Sequence, residues 1–234
     1  MNPKDRTGRY DLHGHYDLGT VAQLTGQRRK AIREYKKEIE LTNYFKAHYN
    51  LGTIYDSQRR YQKALNEYTA ALRLHPTLAD AHNNRGRIYS RRGFHELARK
   101  AYSRAVRLDP KDPLYRINLG LSLAKTGRTH DAIRAFRAAL CLAPKNVDAM
   151  ANLGFALIEN GSTDEGTRVL KAALRRLPGD PEILAGLAVG YLKSGRLGEA
   201  QRLAKRAKRL LPNHSFVKEC VRQVLESVDA RSGL

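Results

Sequence analysis

From Asp11 onward the apolar positions recur at three- and four-residue intervals, and glycine or proline interrupts them at regular places. The segment AHNNRGRIYSRRGFHELARKAYSRAVRLDP shows the unit: two runs at helical spacing, Gly93 between them, and Pro110 at the end. Apolar residues that return every three or four positions mark one face of a helix, while an internal glycine and a closing proline mark its limits. The pattern predicts a pair of helices, repeated along the chain.

The repeat is visible in particular residues. A small residue stands at Gly19, Gly52, Gly86, Gly120, Gly154 and Ala188, spaced 33 and then four times 34 residues apart. In phase with it come Ala31, Ala64, Ala98, Ala132, Gly166 and Ala200, then Tyr35, Tyr68, Tyr102, Phe136, Leu170 and Ala204. From the second unit on, a further alanine (Ala71, Ala105, Ala139, Ala173, Ala207) and a closing proline (Pro76, Pro110, Pro144, Pro178, Pro212) follow. Small residues such as Gly86 and Ala98 allow two helices to approach closely, and Tyr102 is expected to fill the space toward the next unit. One helix pair cannot cover its own apolar face, so neighbouring units must stack.

These residues, beginning with G-x2-Y at Gly52–Tyr55 and Gly86–Tyr89, resemble the tetratricopeptide repeat (TPR). The resemblance implies an all-α fold, a right-handed α-solenoid of six TPR helix hairpins plus a C-terminal capping helix. The units are expected at 12–44, 45–78, 79–112, 113–146, 147–180 and 181–214, with the cap at 215–228 and loose ends at 1–11 and 229–234. Repeat 1 departs from the pattern with Glu38 for the third alanine and Asn43 for the proline. Val217, Cys220, Val221, Val224, Leu225 and Val228 fall on one face of the last segment and suit it to cover repeat 6.

Composition removes several function classes. Cys141 and Cys220 lie far apart without CxxC spacing, so neither a disulfide framework nor a zinc site is suggested. No run of about 18 uncharged apolar residues occurs, and the first residues lack a signal-peptide core. A cytoplasmic location is therefore expected, with organelle import and peripheral membrane association left open. The acid–histidine cluster DLHGHYDLG suggests metal binding at first sight. However, His15, His48 and His82 all occupy the fourth position of successive units, and stacked helices about 8–10 Å apart cannot bring such residues to one ion. They are expected to be packing and hydrogen-bonding residues. No nucleophile motif, phosphate loop or paired carboxylate is present, so no enzyme activity, cofactor or metal is expected. Ser, Thr and Asp in GRTHDA and GSTDEG are expected to cap second helices.

The resemblance also places the first helix of each unit on the inner surface. At the sixth position Asn50, Asn84, Asn118 and Asn152 recur, with Asp17 and Gly186 in the same place of the end repeats. An amide both donates and accepts, so a row of amides can pair with the backbone of an extended peptide whatever its side chains. The row is similar to the asparagine ladder of the TPR superhelix in O-linked N-acetylglucosamine transferase. Tyr16 and Tyr49 stand on the same wall, which is mixed in charge: Asp56, Asp80, Asp148, Glu159 and Glu182 line it too, while Arg87, Arg91 and Lys125 make its centre the most basic part. The expected ligand is thus an extended acidic segment of a protein partner. The fifth positions do not carry the lysine of the chaperone-tail clamp.

The chain carries 43 Lys and Arg against 23 Asp and Glu, a net charge of +20. Arg99, Lys100, Arg104 and Arg107, with Arg202, Lys205, Arg206 and Arg209, form a basic outer surface on second helices. The main expectation is a non-catalytic scaffold. One alternative is a basic adaptor docked on RNA or a ribonucleoprotein, and another is a homo-oligomeric scaffold on the anionic surface of a membrane-bound organelle.

Overall fold

The computed structural model describes residues 13–232, among which every regular element is an α-helix. The expected loose N-terminal segment lies outside the described residues. The chain divides into two compact units, one ending at Pro110 and the other beginning at Lys111.

The first unit contains three hairpins: α1 (Gly14–Leu24) with α2 (Arg28–Thr42), α3 (Phe45–Ser57) with α4 (Tyr61–Leu74), and α5 (Ala79–Arg91) with α6 (His95–Leu108). The second unit contains α7 (Pro113–Lys125) with α8 (Thr129–Leu142), α9 (Val147–Glu159) with α10 (Thr163–Arg176), and α11 (Pro181–Lys193) with α12 (Leu197–Leu210). A final helix, α13 (Ser215–Ser232), packs on α11 and α12. It runs past Val228, where a loose tail was expected, because the segment after Val228 has no glycine or proline before Gly233 to end it.

Each hairpin closes through the same turn. In all six, the residue immediately after the turn's left-handed position donates its N–H to a carbonyl five residues back: Gln27 to Ala22, Arg60 to Tyr55, Phe94 to Tyr89, Arg128 to Leu123, Ser162 to Leu157 and Arg196 to Tyr191. This bond satisfies a carbonyl at the helix end that has no partner within the helix, and it requires a residue with positive φ beside it. Five turns place glycine there, for example Gly93 at φ 79°, whereas the second hairpin places Arg59 at φ 57°.

Within five of the six hairpins the close approach rests on a glycine facing a bulky ring or side chain. A β-carbon at Gly86 would lie 2.7 Å from Cε1 of Tyr102, and Gly19, Gly52 and Gly120 face Tyr35, Tyr68 and Phe136 in the same way. Tyr102 therefore packs against Gly86 inside its own hairpin, and the in-phase Tyr35 also reaches the next repeat, where Asn50 donates to its hydroxyl. Repeat 6 reaches the same end with Ala188 against a helix bearing Ala204, both fully buried.

The expected caps on second helices do not form. Arg128 and Ser162 hold the N-cap positions of α8 and α10 without a side-chain bond. Side-chain capping instead occurs on the first helices of the second unit. Asp112, Asn146 and Asp180 accept from the backbone N–H groups of Leu114, Ala149 and Ile183. The turn within a hairpin is already closed by backbone bonds, whereas the connection between hairpins has orphan N–H groups for a short polar side chain to take up.

Candidate functional site

The histidines are wall residues. His15 Nδ1 lies 2.8 Å from Glu34 Oε2, and His48 Nδ1 lies 2.7 Å from Glu67 Oε2, each pair joining the two helices of one hairpin. The spacing of 19 residues is the same in both pairs, and His82 breaks the series because Ala101 stands where the glutamate would be. Its Nε2 lies 3.0 Å from the carbonyl of Pro76 instead. His13 pairs with Glu38, whose carboxylate also takes the Tyr16 N–H and the Thr42 hydroxyl. Glu38 thus belongs in repeat 1, where it is 1% exposed, because polar donors from α1 and its own helix surround it. The buried carboxylate of Glu34 is opposed by desolvation, but hydrogen bonds from His15 and Arg33 and the charges of Lys37 and Arg33 prevail and lower its pKa. No group of three or more metal-ligating side chains occurs among the described residues.

The asparagine row divides between the units. In the first unit its amides serve the wall. Asn50 Nδ2 donates to the hydroxyl of Tyr35 at 3.1 Å, and Asn84 Nδ2 donates to that of Tyr49 at 3.2 Å. Tyr49 in turn leans on Tyr68, while Tyr16 meets Tyr35 and Tyr44, so both wall tyrosines are held in aromatic clusters. Burial, then the nearby Asp80 charge, pushes the Tyr49 phenol up, which keeps it protonated. The two arginines expected to make this wall basic, Arg87 and Arg91, both pair with the buried carboxylate of Asp56. One of their two positive charges is therefore offset from below, across the boundary between repeat 2, which carries Asp56, and repeat 3, which carries both arginines.

In the second unit the first helices α7, α9 and α11 touch in sequence, and a groove of about 340 Å³ runs over them. Asn118 and Asn152 both line it, with Ile117, Leu121, Ala151 and Phe155 supplying apolar surface. The charged residues on its lining are Asp148 and Glu182. Lys125 is exposed on the last turn of α7 and is not part of this lining. The row ends at Gly186 for a steric reason. A β-carbon there would fall 2.2 Å from Cε1 of Phe155, whose ring occupies the place of the missing amide. Phe155 also borders a second cavity of about 310 Å³, where it meets Phe216 of α13 at a ring-centroid distance of 5.1 Å. Lys193 beside it donates to the carbonyl of Ile158 at 2.9 Å.

The cations expected on the outer surface are solvent-facing. Lys100, Arg104 and Arg107 are exposed on α6, and Arg99 is half-buried and paired with Glu96. On α12, Arg202, Lys205, Arg206 and Arg209 are exposed. Among the described residues, no helix is long and apolar enough to cross a membrane.

Helix hairpins closed by one repeated turn, with glycine under an aromatic ring and a wall of first helices, define an all-α solenoid of tetratricopeptide repeats. A tetratricopeptide-repeat model matches residues 157–218, and one described as the Cilia and flagella-associated protein 70 C-terminal domain matches residues 1–180. The chain belongs to that cilia and flagella-associated protein 70 C-terminal domain family. Among solved structures it is similar to YrrB, described as a TPR protein with an unusual peptide-binding site, at 21% identity over 80% of this chain and 97% of that one (TM-score 0.68). It is also similar to PilF of Pseudomonas aeruginosa, at 18% identity over 89% and 95% of the two chains (TM-score 0.73). MamA matches at 25% identity over 70% and 91% (TM-score 0.65). No curated protein sequence matches significantly. The fold is that of a protein-interaction scaffold.

Proposed function

We propose that the chain is a non-catalytic scaffold that holds an extended segment of a protein partner in the groove over α7, α9 and α11. The observation that carries this reading is the joint presence of Asn118 and Asn152 on one apolar-floored groove. Extended peptide advances about 3.3 Å per residue, so amides one helix pair apart address backbone groups about three residues apart, while Leu121 and Phe155 receive the side chains between them. The similarity to YrrB, whose description includes peptide binding, agrees with this use of the fold.

The preference for an acidic ligand, read from Arg87 and Arg91, does not extend to this groove. Its lining carries Asp148 and Glu182 and no Lys or Arg, which favours an apolar segment with a basic residue over an acidic one. The test is selection of extended peptides from a phage-displayed library on the full chain, followed by calorimetric titration of the enriched peptides. Asn118→Ala/Asn152→Ala should weaken binding by about tenfold, since each amide contributes roughly 0.5–1.5 kcal/mol. Unchanged affinity in a variant with unchanged helicity rejects the reading.

A further inference from the structure

The second unit carries another groove, on the side of its second helices, with a different chemistry. It occupies about 590 Å³ between α10 and α12, with α11 beneath. Its apolar surface comes from Leu174 on α10, Leu187 and Tyr191 on α11, and Leu203 on α12. Leu187 and Tyr191 are buried, whereas Leu174 and Leu203 are half-buried and present part of their surface to the cavity.

Above that floor stand Lys171, Arg202, Lys205, Arg206 and Arg209. The four on α12 follow the spacing i, i+3, i+4, i+7, which places them on one face along about 10 Å of helix. None of the five takes part in an ion pair among the described residues. The acid on the lining, Glu199, is held by Arg196 through both carboxylate oxygens. That hydrogen bonding, aided by the charges of Arg196, Arg202 and Lys171, lowers the Glu199 pKa and keeps it ionised without neutralising the rim. Lys171 is steadied with its Nζ 5.2 Å from the centroid of Tyr191. Like charges crowded on one helix face repel one another, so an anionic partner gains both by relieving this repulsion and by direct pairing.

We infer that this groove docks an acidic, amphipathic helical segment of a partner protein. A helix with apolar residues at i, i+3, i+4 and i+7 would lay them on Leu174, Tyr191 and Leu203 while its flanking acids meet the cationic rim. An RNA backbone would use the charges but gain nothing from the leucine floor. A bilayer surface is broad and flat and cannot enter a recess between two helices. The chemistry on both the floor and the rim is matched by an acidic amphipathic helix.

The inference is tested by selecting a phage-displayed library of helical peptides on the full chain and on Arg202→Glu/Arg206→Glu, whose side chains are exposed. Enriched peptides are then measured by fluorescence anisotropy, beside a single-stranded RNA oligonucleotide and vesicles containing phosphatidylserine. The expected result is enrichment of peptides with acids flanking a helical apolar stripe, at least tenfold weaker binding to the charge-reversed variant, and a similar loss when a peptide's sequence is scrambled at constant composition. Binding is expected to be indifferent to Asn118→Ala/Asn152→Ala, which separates this site from the peptide groove. Peptides that tolerate scrambling or bind the charge-reversed variant equally overturn the inference. It is likewise overturned if RNA or vesicles bind more tightly than any selected peptide and lose that binding with Arg202→Glu/Arg206→Glu.

Discussion

The glycine–ring contact inside a hairpin leads to a prediction with a sign that reverses by context. In α7, a β-carbon added at Gly120 would lie 2.5 Å from Cε1 of Phe136 and 2.8 Å from its Cδ1 and Cζ. Ordinary carbon contacts are about 3.5–4.0 Å, so the ring would have to retreat by roughly 1 Å. Phe136 is 1% exposed and has no free space to retreat into. Overpacking of this kind costs about 1–3 kcal/mol, while replacing a mid-helix glycine by alanine returns about 1 kcal/mol. Gly120→Ala should therefore destabilise the chain by up to about 2 kcal/mol.

In the Phe136→Ala background, which itself costs about 3–5 kcal/mol, the same change should stabilise by about 1 kcal/mol, because the added methyl enters vacated space. Repeat 6 already has this compensated arrangement in Ala188 and Ala204. The double-mutant cycle should therefore show a coupling of roughly 1–3 kcal/mol, the overpacking cost itself and above the additive error for independent sites. Urea unfolding followed by far-ultraviolet circular dichroism measures it, with the slope of the transition checked in each variant because stacked repeats can lose cooperativity. If Gly120→Ala has the same sign and size in both backgrounds, the steric account is refuted.

Three shorter predictions accompany this one. Arg59 is exposed and adopts φ 57° where the other hairpins have glycine, so Arg59→Gly should raise stability by up to about 1 kcal/mol; a loss in the same unfolding assay would contradict the strain. His82 has its pKa lowered from 6.5 by burial, with the charges of Arg85, Arg104 and Arg107 adding to it and the Pro76 carbonyl opposing. A depressed folded pKa gives stability that is present above the unfolded value and lost as pH falls below 6.5, so His82→Gln should flatten that fall in denaturant midpoints measured across the range. Cys220 lies on the inner face of α13 with its thiol pushed up to about 11 by burial, whereas Cys141 is exposed; a maleimide near neutral pH should label Cys141 rapidly and Cys220 only after unfolding, as read by peptide mass mapping.

The fold was legible because its determinants are local and periodic. Gly86, Ala98 and Tyr102 recur in phase, and Gly93, Gly127 and Gly161 mark turns whose conformation only glycine adopts without strain. Contacts between repeats were not legible in the same way. Nothing in the periodicity links Asp56 to Arg87 and Arg91, so the inner wall of the first unit looked more basic than its buried counter-charge makes it. Nor could the row of amides reveal that Asn50 and Asn84 donate to tyrosines while Asn118 and Asn152 line a groove, with the Asn152 amide donating to the Asp148 carbonyl of its own helix. A signal was available for the histidines: His15 with Glu34 and His48 with Glu67 share one interval. Phe155 was the largest omission. It stands one residue after the repeat glycine Gly154 and resembles a core position, yet its ring closes the amide row at Gly186 and borders two cavities.

Charge balance explains why one helical unit can carry two unlike grooves. Where carboxylates are buried, as at Asp56, Glu34 and Glu38, each has a cationic or histidine partner beside it. Along the groove over α7, α9 and α11, acids and apolar side chains form the lining, while Lys193 nearby is engaged by a backbone carbonyl. Among the described residues, Arg202, Lys205, Arg206 and Arg209 of α12 form no ion pair, so the net positive charge of the chain is expressed there as surface potential. The two grooves are built on different helices, α7 and α9 for the amides and α10 and α12 for the cations. Combining Asn118→Ala/Asn152→Ala with Arg202→Glu/Arg206→Glu should therefore leave each groove's affinity loss unchanged by the other pair of substitutions, within the roughly 0.3–0.5 kcal/mol expected of independent sites. A larger interaction, measured with the peptides selected for each groove, would mean that both sets of residues serve one composite surface, since independent docking sites share no ligand contact through which to couple.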